Sequence, residues 1–112
     1  MPILFALRNP KDESVARLRR IQRIVRRLVK AGRWLRVPYG VERSLLREIS
    51  EDEVRNALLT GRVVTYDQGR DRFVIADRIR GRGEIRVVAE FGYDAAGDPI
   101  AVQVITGYFP DE

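Results

Sequence analysis

Chemistry in this chain has to proceed without histidine or cysteine, because neither residue occurs. Disulfides, zinc sites built on those residues and nucleophile or base schemes that need them are therefore excluded. Tyrosine, arginine, lysine, serine, threonine and carboxylates remain. Nineteen of the 21 basic residues are arginine, whose planar guanidinium suits bidentate contact with phosphate or carboxylate. Arg19, Arg20, Arg23, Arg26, Arg27 and Lys30, within RLRRIQRIVRRLVK, are candidates for contacting nucleic acid, as is Arg86 further on. Arg43 and Arg47 are four apart, one helical turn, and so could clamp a phosphate together. Thr106 and Tyr108 alternate with Ile105 and Phe109 and so share a face of one strand. Each set has a plainer alternative: a solvated helix face, ion pairs with Glu42 or Glu48, or ordinary strand propensity. Glu84 and Glu90 could serve as bases, but acids are common at strand ends and no role is assigned to them. GRGE at 81–84 lies between two strands and reads as a hairpin turn, not a phosphate loop. No metal site and no cofactor is expected.

The elements that position these residues follow from periodicity. Asn9 can cap a helix over roughly 10–31, with Pro10 in its first turn, Asp12 and Glu13 at its positive end and Gly32 just past its last periodic residue. At about 100° per residue, Leu18, Ile21, Ile24, Val25, Leu28 and Val29 fall on one side and the six cations on the other. The aliphatic side must be core. Val41, Leu45 and Leu46 suggest a short helix over about 39–47. A further helix opens at ISEDEV, where Ser50 and Glu53 have capping-box spacing and Ile49 and Val54 staple spacing, and Gly61 ends it.

From Arg62 the period becomes strand-like. RVVTYD, RFVIADRI, EIRVVAEFGYD and IAVQVITGYF read as four strands, joined by the short glycine-bearing turns QGRD, RGRG and AAGD. Such turns pair successive strands antiparallel. Tyr66 and Tyr93 fall near strand ends, where an aromatic ring can stack on an unpaired base or be half-buried in packing. The fold class is therefore α+β, with N-terminal helices on one face of a four-stranded antiparallel sheet. Residues 1–112 form a single domain with three parts: a basic helical region at 1–36, short helices at 37–61 and an antiparallel meander at 62–112.

The chain is 45% apolar and 33% charged, a balance typical of globular domains rather than disordered ones. Residues 1–36 hold 11 basic against 2 acidic groups, a net +9, whereas residues 37–112 hold 10 against 14, a net −4. Six like charges on one helix face repel each other unless an anionic partner or nearby acids offset them. MPILFALRNP lacks the flanks of a signal peptide, and no apolar run approaches a membrane span, so a cytoplasmic location and no membrane partner are expected.

From Tyr39 onward the chain resembles the bacterial family catalogued as domain of unknown function 4258. The resemblance rests on Arg43, Arg47, ISEDEV at 49–54, Gly61, RVVAEFG at 86–92 and VITGYFP at 104–110. Where that family carries a histidine, the frame set by these motifs puts Tyr39. Histidine titrates near neutrality and can both accept and donate a proton, whereas an ordinary tyrosine, at about pH 10, is a poor base. The family is similar to compact ribonuclease toxins with RelE- and barnase-like (BECR) folds. That resemblance implies helices over a four-stranded sheet, RNA laid across the sheet, and cleavage by the ribose 2′-hydroxyl. It implies catalytic roles for Tyr39, Arg43, Arg47, Thr106 and Tyr108. The partners it implies are RNA and an acidic antitoxin or other acidic protein. A non-catalytic binding module of the same fold is the alternative, and a homodimer formed through the first helix is a further one.

Overall fold

The computed structural model describes residues 10–37 and 49–110. Asn9, Tyr39, Arg43, Arg47 and the helix expected at 39–47 lie outside the described residues.

Helix α1 spans Pro10–Lys30. Ile21, Val25, Leu28 and Val29 are buried, and Leu18 and Ile24 pack against the same core, so the predicted apolar side is the buried one. Gly32 ends it at φ +75°, the left-handed region that glycine enters without a Cβ clash. The N–H of Gly32 bonds to the Val29 carbonyl at 2.9 Å and that of Arg33 to Leu28 at 2.8 Å, satisfying carbonyls the helix would otherwise leave open. Helix α2 spans Glu51–Thr60, and its capping box is complete. The N–H of Glu53 donates to Ser50 Oγ at 3.1 Å, and the N–H of Ser50 donates to Glu53 Oε1 at 2.9 Å. Ile49 and Val54, at the staple positions, are both buried in the core.

Strands β2 (Arg62–Asp67), β3 (Arg72–Ile79), β4 (Gly83–Tyr93) and β5 (Pro99–Tyr108) lie within a residue of the predicted runs. The sheet departs from the expected four antiparallel strands. A fifth strand, β1 (Trp34–Arg36), pairs parallel with β5, which makes the order β1-β5-β4-β3-β2 and the sheet mixed. β1 therefore falls at the end of the basic N-terminal region 1–36, past the helix read at 10–31, where no strand was expected. Three residues are too few to display alternation, and their partners are Val102, Gln103 and Val104, far along the chain. Trp34 is half-buried against the core through this strand.

The core is one layer between the helices and one face of the sheet. It joins the α1 and α2 aliphatics to Val63, Phe73, Ile75, Ile85, Val87, Ala89, Val102 and Val104. On β4, Ile85, Val87 and Ala89 are buried while Glu84, Arg86, Val88 and Glu90 alternate with them on the opposite face. No residue of that opposite face belongs to the core cluster.

Candidate nucleic-acid interface

Pairing register decides which side chains meet on the sheet face turned away from the helices. Arg62 pairs with Ala76, Ala76 with Arg86, and Arg86 with Tyr108, so these four residues form one row across β2, β3, β4 and β5. With neighbouring strands about 4.8 Å apart, Arg62 and Arg86 stand roughly 10 Å from each other on either side of the small Ala76. The next row is Thr65, Val74, Val88 and Thr106, and carries no charge. The third is Asp67, Arg72, Glu90 and Gln103, in which Arg72 Nε bonds to Glu90 Oε2 at 3.3 Å. Cationic and phenolic groups are thus concentrated in the first row.

Thr106 and Tyr108 reach this face because β5 is irregular. Val104, which is core, pairs with Ala89, whereas Thr106 pairs with Val88, so one extra residue, Ile105, is inserted between them. A side chain two positions from a buried one ordinarily shares its face. The bulge reverses that parity and turns Thr106 and Tyr108 outward. A second irregularity, at Val63/Thr65, does the same for β2, placing both Arg62 and Thr65 on the outer face.

Glu84 stands beside the first row. Its Oε2 accepts from Arg86 Nε at 3.2 Å, both side chains remaining about a third exposed. It also lies directly across from Arg78. The hydrogen bond to Glu84 is the main cause that raises the Arg86 pKa, with Tyr108 contributing, against an opposing loss of hydration. Arg86 is therefore held as a cation between a carboxylate and a phenol. Thr60, Arg62, Asp77, Arg78 and Glu84 line a groove of about 300 Å³ next to the row, where Thr60 Oγ1 donates to Asp77 Oδ2 at 2.6 Å. Arg62 and Arg78 were not singled out from the sequence, and Glu84 was named there as a possible base but assigned no role. Strand alternation and the register of the RGRG hairpin hold the only signal for Arg78 and Glu84, and the bulge before Thr65 hides the one for Arg62.

The predicted nucleic-acid contacts do not form one surface. Arg86 is on the open sheet face, while Arg19, Arg20, Arg23, Arg27 and Lys30 are exposed on α1, in the layer beyond the opposite face. Arg26 departs from this exposed set. It is half-buried, and its Nη2 donates to the Gly61 carbonyl at 3.1 Å, tying α1 to the end of α2. None of the five exposed cations forms an ion pair among the described residues. At the sheet edge, Arg62 lines both the groove beside the first row and a second of about 370 Å³ that includes Arg19. The two basic surfaces therefore meet at β2.

Among the described residues no three His, Cys, Asp or Glu side chains gather as a metal site, and no helix is long and apolar enough to cross a membrane. Comparison with protein-family models, curated proteins and solved structures returns no match.

Proposed function

We propose that this protein is a small RelE-like, toxin-type endoribonuclease that holds RNA on the open sheet face. The observation that carries this reading is the row Arg62, Ala76, Arg86, Tyr108 with Glu84 bonded to Arg86. Cleavage of RNA by its own 2′-hydroxyl needs a base, a cation on the phosphate and a proton donor for the leaving oxygen. Glu84 takes the 2′-hydroxyl proton. The 2′-oxygen forms its bond to phosphorus, the bond to the 5′-oxygen breaks, and Tyr108 supplies the proton that the 5′-oxygen accepts. The products are a 2′,3′-cyclic phosphate and a 5′-hydroxyl. Arg86 exchanges part of its contact with Glu84 for the phosphate, with Arg62 at the neighbouring phosphate, and Thr106 lies one row away beside the strand. Glu84 replaces histidine as the base, a role that Tyr39 fills poorly.

The test is incubation of the purified protein with single-stranded RNA, alongside induction in a bacterial host with mapping of new RNA 5′ ends. Glu84→Gln, Arg86→Ala and Tyr108→Phe are each expected to lower the cleavage rate by about 10²- to 10⁴-fold. Cleavage that survives all three substitutions unchanged removes the open face from the mechanism.

A second reading draws on the exposed cations of α1: a module that binds RNA or an acidic protein such as an antitoxin without cutting it. It expects RNA retention with no new 5′ ends in the same assay.

A further inference from the structure

Tyr66 and Tyr93 take no part in the cleavage site proposed above, yet both are fixed by one residue. Asp71, in the turn between β2 and β3, has φ +52°, a left-handed backbone that few residues other than glycine adopt. Its Oδ1 accepts from the Tyr66 hydroxyl at 2.6 Å and its Oδ2 from the Tyr93 hydroxyl at 2.5 Å. Tyr93 is 46% exposed, unusual for an aromatic ring held at both ends. Its ring meets Phe91 edge-on at 6.2 Å while its hydroxyl is held by Asp71. An exposed ring already immobilised loses little conformational freedom when a ligand covers it.

Across from these rings stand Arg17 and Arg20 of α1, and together they line a pocket of about 290 Å³ with Ile21 as its apolar floor. The Arg17 guanidinium lies 5.9 Å from the centre of the Tyr66 ring, and Arg17 Nη1 makes only a long 3.5 Å contact to Gln68. Neither arginine forms an ion pair among the described residues, and the Asp71 oxygens accept from the two phenols. Among the charged side chains lining the pocket, two are guanidiniums and one is a carboxylate. Aromatic walls beside two guanidiniums suit a flat ring carrying phosphate: the base stacks and the phosphate meets the guanidiniums.

We infer that this pocket is a nucleotide-binding site, taking either one residue of a single-stranded nucleic acid or a free nucleotide. It lies on the helix side of the sheet, and Tyr93 is seven residues along β4 from Arg86, roughly 23 Å in an extended strand. The site therefore does not depend on cleavage at the open face.

The experiment is an amide NMR titration of the full chain at low salt with adenosine monophosphate, a ten-residue oligoadenylate and inorganic phosphate. Both adenine probes are expected to move the resonances of Tyr66, Asp71 and Tyr93. Tyr93→Ala, at the exposed end of a strand, is expected to weaken their binding by at least about fivefold, and Tyr93→Phe, which keeps the ring, by less. Arg17→Ala/Arg20→Ala is expected to flatten the salt dependence. Tighter binding of the oligonucleotide than of the mononucleotide assigns the site to a strand, and equal binding assigns it to a free nucleotide. The inference is overturned if neither adenine probe moves these resonances. It is also overturned if phosphate alone binds as well as the mononucleotide and Tyr93→Ala, folded by its thermal midpoint, changes nothing.

Discussion

Arg26 and Gly61 show what a single position carries in this fold. A Cβ on Gly61 would stand 2.5 Å from the Ala57 carbonyl oxygen and 2.8 Å from that of Ala76, both backbone atoms that cannot move aside alone. Gly61→Ala is expected to cost about 1–3 kcal/mol, measured by urea denaturation. Arg26→Ala leaves the Gly61 carbonyl without its donor and is expected to cost about 1–3 kcal/mol. Arg23→Ala, on the exposed side of α1, should change stability by less than about 0.5 kcal/mol. Equal costs for the two arginines would refute the inward role of Arg26. The tyrosines bound to Asp71 have a pH signature of their own. Tyr66 is raised chiefly by its hydrogen bond to Asp71, and Tyr93 chiefly by burial and then by Asp71. A raised folded value means the folded protein holds the proton more tightly, so the stabilisation is complete below the ordinary phenol value of about 10 and is lost as pH rises beyond it. In an alkaline absorbance titration these two tyrosines should ionise late, together with unfolding; Asp71→Ala should bring both back toward ordinary titration.

At the level of elements, α2 is held at its start by more than its cap. Arg82, in the β3–β4 turn, donates through Nη1 to both carboxylate oxygens of Glu53 at 3.1 Å, and its guanidinium lies 4.7 Å from the centre of the Phe109 ring. The Glu53 pKa is lowered, first by the Ser50 backbone N–H and also by the Ser50 hydroxyl and Arg82, against the opposing cost of burial. A lowered folded value gives stability that is present above the ordinary glutamate range of about 4.3 and is lost as pH falls through the folded value. The stability difference between wild type and Glu53→Gln is therefore expected to be constant from about pH 5 to about pH 7 and to shrink below about pH 4. A difference that does not change with pH would mean the carboxylate charge is not involved. Ser50→Ala removes the other half of the box and is expected to cost about 1 kcal/mol. The fidelity of this element's start to the sequence has a simple reason, since both halves of the capping box lie within three residues of each other.

Over the whole molecule, the charge pattern is divided between two surfaces that meet at the β2 edge. If RNA follows both, neutralising Arg19, Arg23 and Arg27 together should lower the slope of log K against log salt by about 2, at roughly 0.7 per phosphate for a single strand. Fluorescence anisotropy over a salt series reads this directly. An unchanged slope with reduced cleavage in Arg86→Ala would confine RNA to the sheet. The β1–β5 pairing also matters at this scale, because Val102 donates to the Arg33 carbonyl and Val37 to the Val104 carbonyl, closing the segment after α1 onto the last strand. The sheet that presents Tyr108 is therefore completed by the segment that follows α1.

Local periodicity was enough to read the span and buried side of α1, the capping box of α2, the end at Gly61 and the ranges of β2 to β5, because each depends on neighbours within a few residues. Arg86 was legible as an outward-facing strand residue and Thr106 and Tyr108 as sharing one face, but neither the outward turn of that face nor their meeting was. It requires a register between β4 and β5 and a bulge at Ile105 that no local alternation announces. The same holds for Arg62 and for the parallel strand β1. Arg26 looked like one of six equivalent cations and was distinguished only by what faces it across 35 residues, and Asp71 gathers Tyr66 and Tyr93 from separate strands. Pairing between distant strands is set by hydrogen bonds and packing summed over the whole sheet, so the elements were written in the sequence and their juxtaposition was decided by the tertiary structure.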